Sequence, residues 1–222
     1  MSNFNENTRV QVPAALHLCK LGYEYLDEKD IMAYDHKTNI LTDVFLRSIR
    51  RINPDATGEE VSMLYSKIIN ISDNADLGRE FYALLSANSG VKLVDFENPD
   101  NNEWHVTTEF TCHNDETDDE FRPDITCFVN GMPLAFIEVK KPNNHEGILA
   151  ERDRINMRMS KKCFRSFFNI TQLMIFSNNQ EYDNTSRVPI QGAFYCCSSF
   201  SKAFFNVFRE EDKKFVARSV SY

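Results

Sequence analysis

The spacing of the apolar residues changes near the middle of the chain, and this change most constrains the fold. Before Gly90, apolar residues recur at helical spacing and predict helices within 12–26, 39–53, 57–71 and 74–90. After Gly90, they fall in short β-rich stretches at 91–96, 103–112, 122–129 and 132–141, separated by turn-forming residues. Helices followed by consecutive strands predict an α/β protein with a mixed sheet flanked by helices.

The remaining sequence predicts one more helix and further strands. A helix over about 145–161 precedes strands at 172–178 and 192–197, and residues 199–222 are expected to be helical and then irregular. We therefore expect a single domain over 1–222. It would have a mainly helical part over about 1–90, a sheet-containing core over about 91–200, and a C-terminal tail over 201–222.

The composition narrows the class of protein. Of the 222 residues, 42% are hydrophobic and 26% are charged, which is enough to bury a core. No apolar run reaches the length of a membrane span and no secretory signal is visible, so we expect a cytoplasmic protein with reduced cysteines. The net charge of −8 argues against strong non-specific DNA binding by the chain alone. It does not exclude a domain that another component holds on DNA.

An apolar hairpin carries charged residues at its open end. Asp124 precedes the first strand, and Glu138 and Lys140 end the second. Glu138 and Lys140 are two residues apart, so they project from the same face. Two carboxylates gathered with a lysine would form an oxygen-rich site for Mg²⁺, with the backbone carbonyl of Val139 as a further ligand. Such an ion would offset phosphate charge and lower the pKa of a water, which Lys140 could orient.

The turn at Asn130-Gly131 decides whether Asp124 joins this group. A two-residue loop places Asp124 opposite Ile137, on the wrong face. A three-residue loop with a bulge at Gly131 places it opposite Phe136, with Glu138 as a neighbour on the same face. We expect the bulged loop, because only that register gathers the charges, although Asn-Gly locally favours two residues. Taken singly, the same charges could instead be solvated residues at a turn and a sheet edge.

These residues also carry a resemblance to a known family. Pro123-Asp124 followed by Glu138-x-Lys140 resembles the PD-(D/E)xK nuclease motif. The longer stretches "RPDITCFVNGMPLAFIEVKKPNN", "NITQLMIFSNNQEYDN", "LHLCKLGYEYL" and "KLVDFENPDNNEWHVTTEFT" resemble the N-terminal nuclease domain of the restriction (motor) subunit of type I restriction–modification enzymes. The resemblance covers most of the chain and implies a restriction-endonuclease-like core.

The resemblance implies a function and a set of site residues. It implies cleavage of double-stranded DNA with Mg²⁺, by a subunit that also carries helicase-like motor domains and joins methyltransferase and specificity subunits. By matching positions, Asp124, Glu138 and Lys140 would be the catalytic residues, and Asp124, Glu138 and the Val139 carbonyl would hold the metal. The chain has no GxxxxGK[ST] motif, so ATP would be used by the full subunit and not bound here. At this length the chain looks like an excised domain or a truncated product.

Two positions depart from the family pattern. Many members have Gln-x-x-x-Tyr on the helix after the motif, where our best register places Ile155 and Met159. An early helical glutamate often assists the metal site, and Gln11 is the nearest candidate here. These departures support a second hypothesis, in which the chain is a catalytically degenerate docking or DNA-positioning module.

Basic residues after the motif are candidates for DNA contact. Arg154, Arg158, Lys161, Lys162 and Arg165 recur at helical spacing and predict one basic stripe that contacts phosphates. The alternative is a solvated helix face whose cations pair with Glu151 and Asp153. The acidic stretch 113–120 is expected to be a flexible loop. A lone histidine is more often a surface or core residue than part of a site, and we expect this of His105 and His145.

Overall fold

The computed structural model describes residues 10–31, 34–113, 119–141 and 145–177, together with the backbone of three later strands. The helices are α1 (Val12–Lys20), α2 (Thr42–Ile52), α3 (Gly58–Ser72), α4 (Arg79–Leu85), α5 (His145–Met159) and α6 (Arg165–Ile170). Short 3-10 helices lie at Glu28–Ile31, Pro99–Asn101 and Lys162–Phe164. The strands are β1 (Glu24–Tyr25), β2 (Trp104–Thr108), β3 (Ile125–Val129), β4 (Met132–Val139), β5 (Leu173–Ser177), β6 (Ala193–Cys196), β7 (Asn206–Glu211) and β8 (Lys214–Ser219).

The described strands form one mixed sheet in the order β1 to β8. The β1–β2 and β4–β5 pairs are parallel, and the other neighbouring pairs are antiparallel. On one face, Val106 and Ile137 pack with Leu18 of α1. On the other, Phe136 and Met174 pack with residues of α5 and α6. The predicted α/β fold, with a mixed sheet flanked by helices, is therefore confirmed. None of the described helices is long and apolar enough to cross a bilayer.

Local sequence signals explain where the early helices begin. Thr57 accepts a hydrogen bond from the backbone N–H of Glu60, and the Glu60 side chain accepts one from the backbone N–H of Thr57, so α3 starts with a capping box. Helix α4 begins later than expected, at Arg79, because Gly78 adopts a left-handed conformation with φ of 74°. Together with α2, these helices pack against the turn end of β3 and β4.

The strand predicted over 91–96 is wrong, because side chains satisfy its backbone instead of a neighbouring strand. Asn53 Oδ1 accepts from the N–H of Lys92 at 2.8 Å, and Asn53 Nδ2 donates to the Lys92 carbonyl at 2.9 Å. Asn130 Nδ2 donates to the Leu93 carbonyl at 2.9 Å. Leu93 and Val94 are still buried. Their apolar character therefore indicated burial correctly but did not indicate strand geometry.

The helical and irregular structure expected over 199–222 is also wrong over the two stretches that the structure describes there. Strands β7 and β8 pair antiparallel from Asn206↔Ser219 to Glu211↔Lys214. Both contain valine and phenylalanine, which favour extended backbone, and β7 also pairs with β6. Residues 197–205, 212–213 and 220–222 lie outside the described residues.

The turn between β3 and β4 has two residues, so the expected three-residue loop is wrong. Asn130 has φ of 50° and Gly131 has φ of 78°, and Val129 pairs with Met132. Two successive positive φ values define a type I′ turn, for which Asn-Gly is the favoured pair.

A bulge inside the hairpin nevertheless restores the face that the site needs. Cys127 pairs with Ala135, whereas Phe128 pairs with Pro133, so Leu134 is the additional residue on β4. Beyond it, Ile125 pairs with Ile137. This register brings the residue before β3 level with Glu138, so the two acidic positions share a face.

Candidate active site

Asp124 is fixed to the end of β4 by the main chain. Its Oδ2 accepts a hydrogen bond from the backbone N–H of Val139 at 2.7 Å. Its own carbonyl accepts from the N–H of Glu109 at 3.1 Å and from Gln11 Nε2 at 2.7 Å. The carboxylate therefore stands at the open end of the hairpin with both its side chain and its backbone held. The predicted approach of Asp124 to the end of β4 is what the structure describes.

Glu138 lies beside Asp124 and is almost fully buried, with 5% of its surface exposed. Burial raises the pKa of Glu138 well above its ordinary value, and the negative charges of Asp124 and Glu151 raise it further. A hydrogen bond between the Glu138 and Asp124 carboxyl groups acts in the same direction, whereas Lys140 opposes it. The Glu138 carboxyl therefore retains a proton at pH values where an exposed glutamate has lost it.

Lys140 reaches back over the strand end. Its Nζ donates to the carbonyl of Val139 at 2.9 Å and lies 3.1 Å from Glu151 Oε2. Asp124 Oδ2 is 3.9 Å from the same ammonium group. Only 12% of the Lys140 side chain is exposed. Asp124, Glu138 and Lys140 are thus brought together at one strand end as expected, but the bulge inside β4 gathers them and not the expected three-residue loop.

Glu151 of α5 belongs to the same cluster, and the sequence interpretation gave it only a pairing role on a solvated face. Its side chain is 4% exposed, and Oε2 lies 2.8 Å from Arg154 as well as close to Lys140. Arg158 lies 3.7 Å from Oε1 and also sits over the ring of Phe121. The signal that could have located Glu151 is its position one helical turn before Ile155, which is a fully buried core residue.

Gln11 occupies the position expected to carry a glutamate. It is 3% exposed and its Nε2 donates to Glu109 Oε1 at 3.0 Å and to the Asp124 carbonyl at 2.7 Å. A glutamate could not donate these hydrogen bonds at neutral pH, because an ionised carboxylate only accepts. Gln11 therefore supports the position of Asp124 through its backbone.

The donor set suits a hard divalent cation only in part. Asp124 and Glu138 offer two adjacent carboxyl groups, and the Val139 carbonyl lies beside them, which are oxygen ligands of the kind Mg²⁺ takes along with water. Within the described ranges, however, the structure contains no group of three or more His, Cys, Asp or Glu side chains arranged to hold a metal ion. Burial and the charges of Asp124 and Glu151 raise the pKa of Glu138, and a cation at this position would relieve the repulsion among these carboxyl groups.

The predicted basic stripe is not one continuous helix face. Helix α5 ends at Met159, and Lys162 begins a separate 3-10 helix. Lys161 pairs with Asp119, whereas Arg165 pairs with Asp73 near the end of α3. The DNA contacts suggested for Arg154, Arg158, Lys161 and Lys162 remain predictions.

Two other predicted features lie away from the cluster or outside the described residues. His105 pairs with Phe128 in the sheet, toward the turn end of the hairpin, and its Nε2 is 3.9 Å from Glu103. The side chain of His145 lies outside the described residues, as do positions 114–118 of the acidic stretch. Among the described cysteines, Cys19, Cys112, Cys127 and Cys163 are free thiols.

The fold and the charged strand end define a class of protein. A mixed sheet flanked by helices, with two carboxyl groups and a lysine where strands end, is compatible with a restriction-endonuclease-like α/β fold. Residues 3–187 match the family described as type I restriction enzyme R protein N terminus. Because this match covers most of the chain, the chain belongs to that family.

Two relatives support the same assignment. A protein of Methanocaldococcus jannaschii, whose name assigns it as the MjaIXP endonuclease subunit of a type I restriction enzyme, is 29% identical over 203 residues. The type I restriction enzyme HindI endonuclease subunit of Haemophilus influenzae is 29% identical over 161 residues. These alignments cover 81% and 62% of the chain, but only 19% and 15% of the relatives. The chain thus spans less than a fifth of the length of these relatives.

Proposed function

We propose that the chain is a Mg²⁺-dependent endonuclease domain that hydrolyses DNA phosphodiester bonds within an ATP-dependent type I restriction–modification assembly. The observation that carries this proposal is the contact between the Asp124 and Glu138 carboxyl groups beside the Lys140 ammonium. In this assembly, helicase-like motor domains would use ATP, and the partners would be methyltransferase and specificity subunits. The family and the names of the two relatives support this context.

Asp124, Glu138 and the Val139 carbonyl would hold the cation. When bound, Mg²⁺ would offset phosphate charge and lower the pKa of a water at the strand end. Asp124 is oriented by the Val139 N–H, so its carboxylate needs little rearrangement. Glu138 would release its proton to become a ligand. Lys140 would place positive charge beside the scissile phosphate, where negative charge develops in the transition state.

DNA would approach past the cations that flank the cluster. About half of the Arg154 side chain is exposed, and Lys161 and Lys162 are exposed just after α5. These residues could contact phosphates without reading sequence. Since the chain carries a net charge of −8, we expect the assembly to supply most of the DNA affinity.

Metal binding with proton release is the first test. Titration calorimetry of the chain with Mg²⁺ or Mn²⁺, in two buffers of different ionisation enthalpy, should show binding coupled to proton release. Asp124→Asn should weaken binding, and Glu138→Gln should abolish the proton release, because it removes the titrating carboxyl. If the wild type shows no heat, or if Asp124→Asn binds equally well, the metal site is excluded.

Cleavage is the second test, and it requires the assembled complex. Plasmid cleavage with ATP should be lost in Lys140→Ala and retained in Lys141→Ala, which changes an exposed neighbour with the same charge. Equal cleavage by the two variants would remove Lys140 from the reaction.

One observation favours a second function, a docking or DNA-positioning module without catalysis. Gln11 donates to the Asp124 carbonyl where the family pattern often has a glutamate, and Ile155 is buried in the core. A module of this kind would bind the other subunits without binding metal. The calorimetric test separates the two functions directly.

A further inference from the structure

An arginine beside the candidate site is held by a glutamate whose backbone is left-handed. Arg122 Nε lies 2.8 Å from Glu109 Oε2, and 59% of the Arg122 side chain is exposed. Glu109 directly follows β2 and has φ of 58°, a conformation that residues with a side chain rarely adopt. Such a conformation persists only where the surrounding contacts enforce it, so the contacts of Glu109 indicate its role.

These contacts join Glu109 to the main chain of Asp124. The N–H of Glu109 donates to the Asp124 carbonyl at 3.1 Å. Gln11 Nε2 donates to the same carbonyl at 2.7 Å and to Glu109 Oε1 at 3.0 Å. Because Gln11 is 3% exposed, packing fixes this part of the network. The other carboxylate oxygen, Oε2, meets Arg122, so the guanidinium is oriented from the backbone of a candidate site residue.

This network places Arg122 on the side of the sheet opposite α5. Gln11 directly precedes α1, which packs on the sheet face that includes Ile137. Helix α5 packs on the other face, and the ring of Phe121 lies there against Phe136. Neighbouring residues of an extended segment point to opposite faces, so the direction of Phe121 agrees with the placement of Arg122.

The position of Arg122 suits contact with a DNA phosphate. The guanidinium is a planar fork of N–H donors that matches phosphate oxygens, and more than half of the side chain is open to solvent. An arginine that is already oriented loses less side-chain freedom when it binds. The alternative is a solvated surface pair of little consequence. The left-handed Glu109 and the buried Gln11 favour the first interpretation, because a solvated pair needs neither.

We propose that Arg122 binds a phosphate of the DNA backbone on the α1 side of the candidate site, and that Glu109 is the residue that orients it. The inference rests on the proposed function for the presence of DNA at this strand end. Arg154 and Arg158 belong to α5 on the other face, so the two groups of cations would flank the strand end. Phosphate contacts of this kind fix the position of the DNA without reading its sequence.

Salt-dependent DNA binding by the chain tests the contact without any cleavage. Fluorescence anisotropy of a short labelled duplex, at low ionic strength and in chelator, measures Kd. Arg122→Gln should raise Kd about tenfold. The slope of log Kd against log salt concentration should also become less steep by about one, because one phosphate contact is lost.

The matched control for this loss of charge is Arg50, an exposed residue of α2, which packs at the turn end of the hairpin. Arg50→Gln should leave the salt slope as in wild type and raise Kd by under about twofold, because salt screens distant charges. If Arg122→Gln matches Arg50→Gln in both quantities, the inference is wrong. It is also wrong if the wild-type chain does not bind the duplex.

Two variants of equal charge test the orienting role of Glu109. Glu109→Ala and Glu109→Gln each remove one negative charge, but the glutamine keeps an oxygen that can accept from Arg122. Glu109→Ala should therefore bind the duplex about threefold more weakly than Glu109→Gln. The difference should vanish when Arg122→Gln is added to both variants. Equal Kd values, or a difference that persists without Arg122, would remove Glu109 from this role.

Metal binding separates a failure of this inference from a failure of the proposed function. Calorimetry should show the same Mn²⁺ binding in Arg122→Gln as in wild type, because the guanidinium is paired with Glu109 and not with a proposed ligand. A loss of Mn²⁺ binding as complete as in Asp124→Asn would mean that Arg122 supports Asp124, and would overturn the inference. Wild type that binds no metal would refute the Mg²⁺-dependent function, and anisotropy in chelator would still decide whether Arg122 contacts DNA.

Discussion

Two glutamates at opposite ends of the β3–β4 hairpin have their pKa values shifted in opposite directions. Beside the turn, burial would raise the pKa of Glu103, but a hydrogen bond from Arg47 and the charges of Arg47 and Arg51 lower it below 4.5. At the open end, burial and the charges of Asp124 and Glu151 raise the pKa of Glu138 well above 4.5. The folded chain therefore favours ionised Glu103 and disfavours ionised Glu138.

The difference separates the turn end of the hairpin from the end that carries the candidate site. At the turn, buried Asn130 donates to the Leu93 carbonyl and to Asn102 Oδ1, and accepts from the Glu103 N–H. Its polar groups are thereby paired with neutral partners. At the open end, carboxyl groups are crowded together, which costs stability, and under the proposed function a cation would offset this cost. The hydrogen bonds of Asn130 stabilise the turn, which allows the other end to carry this electrostatic cost.

The largest effect should come from adding a side-chain carbon to Gly131, where the turn lies against the backbone of Leu41 and Phe45. A Cβ on Gly131 would lie 2.6 Å from the Leu41 carbonyl oxygen and 2.8 Å from the Phe45 nitrogen, and φ is +78°. Gly131→Ala should therefore lower the free energy of unfolding by about 3 kcal/mol or more, measured by urea denaturation. The control is Gly90→Ala, where φ is +83° but nothing lies within 4 Å of the added carbon. Equal losses would mean that backbone strain, and not the contact with α2, fixes the turn.

Removing the Asn130 side chain should have the next largest effect. Asn130→Ala leaves the Glu103 N–H and the Leu93 carbonyl without their buried partner, and should cost about 2 kcal/mol in urea denaturation. Asn101 provides the control, because it is exposed and its Nδ2 bonds to Asp95. Asn101→Ala should cost well under half as much. A similar loss in both variants would show that the turn end is not specially supported.

The sequence predicted the general fold and the three charged residues of the hairpin for physical reasons. Alternation along β4 places Glu138 and Lys140 on one face whatever their surroundings. The Asn-Gly pair favoured a two-residue turn, which the structure has, but only the bulge at Leu134 reconciles that turn with the position of Asp124. A compensating bulge leaves no local sequence signal of the strength that Asn-Gly provides.

Features that depend on contacts between distant segments were not predictable. Residues 91–96 are apolar enough for a strand. Their backbone, however, is hydrogen-bonded to Asn53 and Asn130, which are distant in the sequence. Glu151 resembles any charged residue on an amphipathic helix until α5 is docked against β4 and Lys140. The distinction between a solvated pair and a buried one arises from tertiary packing, which one sequence does not specify.

The third prediction concerns the strain at the open end. Because the folded pKa of Glu138 is raised, the folded chain binds a proton that the unfolded chain has released. The stability should fall as the pH rises above about 4.5 toward the folded pKa, and the loss ends above it. Glu138→Gln should remove this fall and be more stable than wild type by about 1 kcal/mol or more at pH 8, in chelator. The two proteins should be equally stable near pH 4.

An exposed carboxyl controls for the loss of charge alone. Glu97 is exposed in the loop before β2, so Glu97→Gln should leave the pH dependence of wild type unchanged. If Glu138→Gln also follows the wild-type curve, Glu138 does not have a raised pKa in the folded chain, and the two ends of the hairpin do not differ as described. Melting curves in chelator from pH 4 to pH 8 provide the measurement.

The smallest effect should come from Glu103, and its sign should be opposite. Since the pKa of Glu103 is lowered in the folded chain, ionised Glu103 stabilises the fold above about pH 4.5. This stabilisation is lost as the pH falls through the folded pKa. Glu103→Gln should therefore lower the free energy of unfolding at pH 7 and change it little near pH 3. The loss at pH 7 should be only about 0.5–1 kcal/mol, because the Arg47 side chain is 56% exposed. Arg47→Gln should cost a similar amount, and the double variant little more. Additive losses would show that the pair does not stabilise the turn end, and the contrast with Glu138 would then rest on burial alone.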